Sequence, residues 1–190
     1  MAEPTDKAAE IRLPKAKANL VGMGVSIALV IVCVLFVRML PHYREDGPRQ
    51  VLWFFAGLIL MFPLHEGLHG AAALAWGKAR IRDVKFGVDW KGLMPYCACK
   101  IPMTVFAYRR LLLLPLAGTG TLALLIALLV PTPLMAVLLA VSLSSAVGDV
   151  WIFLKMRAFP PDWIVIDDPS DIGCHVFRPS TTNASSALSA

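Results

Sequence analysis

Four apolar runs dominate the chain, and each is long enough to cross a bilayer as a helix. The first extends from Leu20 to Leu40, interrupted only by Arg38 at its far end, where a long side chain can snorkel to the interface. Val51 to Trp76, Leu111 to Val130 and Leu134 to Leu154 follow, separated by connections of very different length. Pro41 to Gln50 is a short polar turn, and Pro131-Thr132-Pro133 is a tight one. Residues 77–110 are the longest stretch between spans. There, Ile81 to Asp89 alternates apolar and polar positions, Tyr96 to Ile101 gives a second alternating run, and Trp90 to Pro95 connects them. This stretch reads either as a solvated basic loop or as a β-hairpin at the interface. The pattern predicts an all-α membrane protein: a four-transmembrane-helix bundle with room for a small β-hairpin between helices 2 and 3. Residues 1–19 read as a polar N-terminal tail with no cleavable signal peptide, 20–155 as the four-span domain, 156–179 as a tail segment, and 180–190 as a disordered, Ser/Thr/Ala-rich end.

Composition agrees with the pattern. Hydrophobic residues make up 57% of the 190 positions, and charged residues only 16%, against about 25% in soluble domains. Mean hydropathy is +0.67. The length accommodates one compact helical domain and no second domain of ordinary size. A net charge of +5 could signal nucleic acid, but no interleaving of basic and aromatic residues supports that. The charge instead reports topology. Four Lys/Arg precede the first span, eight lie between the second and third, and three follow the fourth, leaving Arg38, Arg44 and Arg49 for the other side. The positive-inside rule then puts both termini and the 77–110 stretch in the cytoplasm.

Candidate chemistry is concentrated in the second span, in Phe62-Pro63-Leu64-His65-Glu66-Gly67-Leu68-His69-Gly70. Ionisable side chains are costly inside a bilayer and are functional there by default. On a helix, His65 and His69 project from one face a turn apart, so both can hold one Zn²⁺. Glu66 lies about 100° round the helix, able to reach a water on the metal without ligating it. This is the H-E-x-x-H arrangement of zinc peptidases. Pro63, just ahead, should loosen the helix by removing an N–H and crowding the Ile59 carbonyl. A third ligand is sought at the same depth. At 1.5 Å per residue, His65 lies about 21 Å and His69 about 27 Å below the start of span two, and Asp149 about 24 Å below the start of span four. Ser142, Ser145, Ala146 and Gly148 give Asp149 a small-residue surface, for which Gly67, Gly70 and Ala71 are the natural partner. Two His and one carboxylate leave a fourth tetrahedral position open, as catalytic zinc sites require. The competing readings are two hydrogen-bonded core histidines, and an Asp149 that caps or snorkels near its helix end.

These residues carry a resemblance. His65-Glu66-Gly67-Leu68-His69 in one span, Asp149 preceded by Gly148 in a later one, and a strand-like segment between them resemble the intramembrane metalloproteases of the site-2 protease class. Within that class the chain is most similar to the putative zincin peptidases, small bacterial four-span membrane proteins. The similar region runs from about Val51 through Asp149 to Asp168-Pro169-Ser170-Asp171-Ile172-Gly173-Cys174. The resemblance implies His65, His69 and Asp149 as zinc ligands, Glu66 as catalytic base, a membrane protein or peptide as substrate, and the bacterial inner membrane as location. The chain departs from the usual site-2 protease pattern in two ways. It has no Asn-x-x-Pro run ahead of Asp149, and Val150 and Trp151 follow that residue where a glycine is usual.

The remaining signals are weaker. Cys97 and Cys99 fall on one face of the second alternating run, where the spacing allows a disulfide or a second metal site, although the four cysteines match no structural zinc spacing. His42 and His175 read as solvated or structural, and the Asn183-Ala184-Ser185 sequon as inert on a cytoplasmic tail. The function expected is intramembrane zinc proteolysis, its substrate added as an extended strand against 80–89 or 96–101. A non-catalytic, metal-dependent membrane scaffold or interaction protein is the alternative. A transporter is disfavoured by the lack of an internal repeat.

Overall fold

The computed structural model describes residues 6–89, 94–99, 101–168 and 173–179. Four helical stretches are long and apolar enough to cross a membrane: Ala16–Arg38, Pro48–Trp76, Val105–Leu129 and Pro133–Met156. The first lies in α1 (Lys15–Arg38), the second is α2 (Pro48–Trp76), and the third is α3 (Val105–Leu129). The fourth is two helices, α4 (Pro133–Ser145) and α5 (Val147–Met156), broken at Ala146. Helix starts follow local chemistry. Pro48 and Pro133 occupy first-turn positions, where the missing N–H costs nothing. The Thr104 hydroxyl accepts the Ala107 N–H at the head of α3. The Asp46 carboxylate, from the turn after α1, accepts the Leu134 N–H at 3.0 Å and so caps α4 from a distance.

Large apolar side chains cover the outside of the bundle, among them Leu20, Ile27, Leu52, Ile59, Leu60 and Leu129, a surface suited to lipid and not to water. One buried cluster lies between the helices, around Val37, Met61, Ala127, Met135, Leu138 and Leu139. A second joins the helix ends to a small sheet, through Val105, Leu112, Met156, Val165, Cys174 and Val176.

That sheet corrects the all-α expectation. Strand β1 (Asp6–Arg12) pairs antiparallel with β6 (Gly173–Arg178), β6 with β5 (Ile164–Asp167), and β5 with the two-residue β4 (Met103–Thr104), giving the order β1-β6-β5-β4. The stretches read as polar tails before span one and after span four thus contribute strands to one body, with β1 and β6 side by side. The disordered end expected for 180–190, the sequon within it and the 169–172 segment lie outside the described residues.

The hairpin reading of the 77–110 stretch holds in a shifted register. One 3-10 turn at Ile81–Asp83 precedes β2 (Val84–Asp89), which pairs antiparallel with β3 (Met94–Cys99). Residues 90–93 of the connection lie outside the described residues. Gly70 explains how the hairpin sits so close to α2: a Cβ there would lie 2.7 Å from Cζ of Phe86. The small face of α2 therefore receives β2, not the fourth span as expected. The close approach of α2 to α4 is instead at Gly57, against Leu138.

Candidate metal centre

Helix α2 buries one stripe, Met61, His65, His69, Ala72 and Ala73, and that stripe carries both histidines into the bundle. Their ring centroids are 5.1 Å apart at 73°. His65, Glu66 and His69 each offer a ligand atom, and the three lie within 4.8 Å of one another. Asp149 approaches the same point from the fourth span: its Oδ2 is 3.2 Å from Nε2 of His65 and 3.5 Å from Nε2 of His69. The break at Ala146 accounts for this approach. It starts a new helix, puts Asp149 in the first turn of α5, and sets the carboxylate near the positive end of that helix.

Hydrogen bonds on the far side of each ring fix what faces Asp149. Nδ1 of His69 lies 3.0 Å from the Leu111 carbonyl, which can only accept, so Nδ1 carries the proton. That carbonyl is available because of Pro115, four residues on in α3, whose nitrogen has no hydrogen to give it. For His65, Nδ1 lies 3.3 Å from the Ser145 hydroxyl, which already donates to the Ser142 carbonyl at 2.8 Å. The hydroxyl therefore accepts from Nδ1–H. Both Nε2 lone pairs then converge on one carboxylate oxygen with no proton between them. In a buried, apolar setting this is repulsive, and only a cation among them, a metal ion or added protons, removes the repulsion.

The residues fit zinc. The two nitrogen-to-oxygen separations, 3.2 and 3.5 Å, bracket the edge of about 3.3 Å for a tetrahedron with bonds of about 2.0–2.1 Å. Imidazoles whose far N–H is held by a carbonyl or hydroxyl are the usual outer shell of such a site. Glu66, half-buried beside them, faces β3, whose Cys97 backbone N–H is directed at its carboxylate.

Several groups at the site's edge carry little sequence signal. Asp167, at the end of β5, accepts the Cys99 N–H at 3.0 Å and the Tyr108 hydroxyl, so it fastens β3 to the small sheet. Burial pushes its carboxyl above the usual range, against the lowering effect of those two donors. All four cysteines are free, so no disulfide joins Cys97 to Cys99. Burial, with the nearby carboxylates of Glu66 and Asp167, pushes the Cys97 thiol up to about 12, and that of Cys174 also rises to about 12, mainly by burial. Protonated thiols are poor ligands, and among the described residues no cysteine joins a group of metal-ligating atoms. His175 lies 3.4 Å from Asp168 and 3.8 Å from Glu10. It thus joins β6 to β1, a structural role.

Comparison with known proteins agrees with this geometry. A family model described as "Putative zincin peptidase" matches residues 58–164, just over half of the chain. The match takes in His65, Glu66, His69, the hairpin and Asp149, and leaves out β1, α1 and β6. The chain is also 27% identical over 147 residues to an uncharacterized 24.7 kDa protein in a gap 5' region of Pyrococcus woesei, covering 76% of this chain and 64% of that relative. This chain therefore spans a little under two thirds of the relative's length. No solved structure matches it. With a match over more than half of its length that contains His65, Glu66, His69 and Asp149, this chain belongs to the putative zincin peptidase family.

Proposed function

We propose that the chain is an intramembrane zinc metallopeptidase of the site-2 protease type, with His65, His69 and Asp149 as ligands and Glu66 as general base. The observation that carries this reading is the convergence of two imidazole lone pairs and a carboxylate, each imidazole held from behind by its own acceptor. Zinc in such a site supplies Lewis acidity, making water more acidic and polarising a carbonyl. Glu66 takes the proton from the attacking water and returns it to the leaving nitrogen as the peptide bond breaks. The Leu111 carbonyl and the Ser145 hydroxyl keep the imidazoles oriented through this exchange. Met61, Ala72 and Ala73 along the histidine stripe keep bulk water out.

Substrate reaches Glu66 as an extended segment. A helical substrate holds its carbonyls in its own hydrogen bonds, whereas the β2–β3 hairpin offers a template for strand addition beside the site. The Lys/Arg distribution favours cytoplasmic termini and a cytoplasmic hairpin. The substrate is then a membrane protein or peptide cut toward that side.

A second reading has one specific observation behind it. Glu66 lies close enough to both histidines to be a ligand itself, and four protein ligands would make a closed, structural site in a non-catalytic membrane scaffold. Metal analysis of purified protein tests the ligand set that both share, and zinc kept or lost in Glu66→Gln separates them. About one zinc per chain is expected in wild type, with loss in His65→Ala, His69→Ala and Asp149→Ala. Unchanged zinc in any of the three would remove that residue from the ligand set.

A further inference from the structure

We propose a second site on this molecule: a groove at the membrane boundary, away from the metal centre, that holds a phospholipid with a net negative headgroup. The groove has a volume of about 460 Å³ and runs between the end of α2, the start of α3 and α5. Its lower part is apolar, with Leu113, Ala117 and Phe153; its mouth carries Trp76, Phe106 and Arg110. Trp76 is the last residue of α2 and Phe106 the second of α3, so the mouth lies where the spans leave the hydrocarbon.

Arg110 is prepared for an anion. Its guanidinium carbon is 4.0 Å from the Phe106 ring centroid and 5.3 Å from that of Trp76, so two aromatic faces hold it. Its edge remains free to donate in pairs, the geometry that suits a phosphate. Among the described residues no carboxylate pairs with Arg110. Neighbouring charge adds to the demand. Arg109 lines the same groove, donates through Nη2 to the carbonyls of Met156 and Phe159 at 2.8 Å each, and leaves a buried Nε without a partner. Helix α3 has no acidic residue in its first turn, so its positive end goes unbalanced locally. An apolar trough topped by an unpaired, stacked guanidinium is complementary to one molecule, an acyl chain bearing a phosphate. Basic pockets between spans are recognised lipid sites on the same grounds. The site does not depend on the peptidase reading.

The test uses the purified protein in nanodiscs of equal phosphatidylglycerol and phosphatidylcholine with the same acyl chains. Lipid retained after detergent extraction is read by native mass spectrometry. Wild type should retain phosphatidylglycerol in excess, and Arg110→Gln should reduce that excess about fivefold, the effect of one basic group at a membrane surface. Ala117→Trp, which fills the trough and leaves every charge in place, should lower it similarly. Arg44→Gln, an exposed cation beside Pro131 at the opposite end of α3, should leave it unchanged. Thermal midpoint and zinc content, the same in all variants, show that the fold is intact. Equal retention of the two lipids, or an Arg44→Gln effect as large as that of Arg110→Gln, would overturn the proposal in favour of a diffuse lipid annulus. An effect of Arg110→Gln without one of Ala117→Trp would overturn it in favour of a free anion. A change of oligomeric mass in Ala117→Trp would mean that a second copy of the chain occupies the groove.

Discussion

Among single side chains, those that shape the candidate metal centre differ sharply in how visible they are. His65, Glu66 and His69 stand out because helical spacing and the cost of ionisable groups in a bilayer point to the same three positions. Asp149 stands out by depth, and its Oδ2 does meet both imidazoles. The Leu111 carbonyl is invisible to any reading by residue type, since every residue has one. What marks it is Pro115, because a proline inside a helix releases the carbonyl four residues back. That relation gives an uncommon expectation. Pro115→Ala restores an N–H for Leu111 within α3, which competes with Nδ1 of His69. Zinc affinity, measured by competition with a chelator, should fall about tenfold, the usual effect of losing an outer-shell partner. The helix itself should be no less stable, so the thermal midpoint of the zinc-free protein stays or rises. A lower midpoint with unchanged affinity would assign Pro115 a packing role only.

The secondary-structure elements show where pattern stops being informative. The hairpin was legible, through alternation at Val84, Phe86 and Val88, but its edges moved because a 3-10 turn uses Ile81–Asp83. The break between α4 and α5 was not legible, since apolar residues continue through it and no proline marks Ala146. Nor was the clasp of Asp167 on β3, which depends on a pairing between distant segments. Asp167 makes a pH expectation. Its folded pKa is raised above an unfolded value of about 3.9, so the native state binds the extra proton. The resulting stability is fully present below about pH 3.9 and is lost as pH rises through the folded value. Asp167→Asn keeps an acceptor for the Cys99 N–H and cannot ionise. In thermal unfolding, wild type and variant should converge near pH 4, and wild type should fall behind as pH rises toward 7. A difference that grows in the acid direction would reverse the assignment.

For the molecule as a whole, the four helices long and apolar enough to cross a membrane were plain from runs of about 20 apolar residues, and the small sheet was not. Its strand β1 reads Asp-Lys-Ala-Ala-Glu-Ile-Arg, with little alternation, and its partner β6 lies at the other end of the chain. Such a pairing has no local signature. The sheet gathers β1 and β6 at one side of the bundle, and the proposed orientation, argued from the Lys/Arg excess, assigns that side to the cytoplasm. Reporter fusions at Gly92 and after Arg178 should therefore both read as cytoplasmic, and one near Glu45 as external. A hairpin reporter on the external side would overturn the orientation, although not the metal centre.

Whether the chain is a peptidase turns on Glu66. Glu66→Gln keeps the side chain's size and removes the basic oxygen that must accept water's proton. The decisive measurement is paired: zinc per chain, and fragments released from a panel of single-span membrane proteins, for wild type and Glu66→Gln purified identically. Retained zinc with loss of the wild-type fragments is expected. Identical fragments from both proteins, or zinc that leaves with the substitution, would contradict a base at Glu66, and the second outcome would make Glu66 a ligand in a closed, structural site.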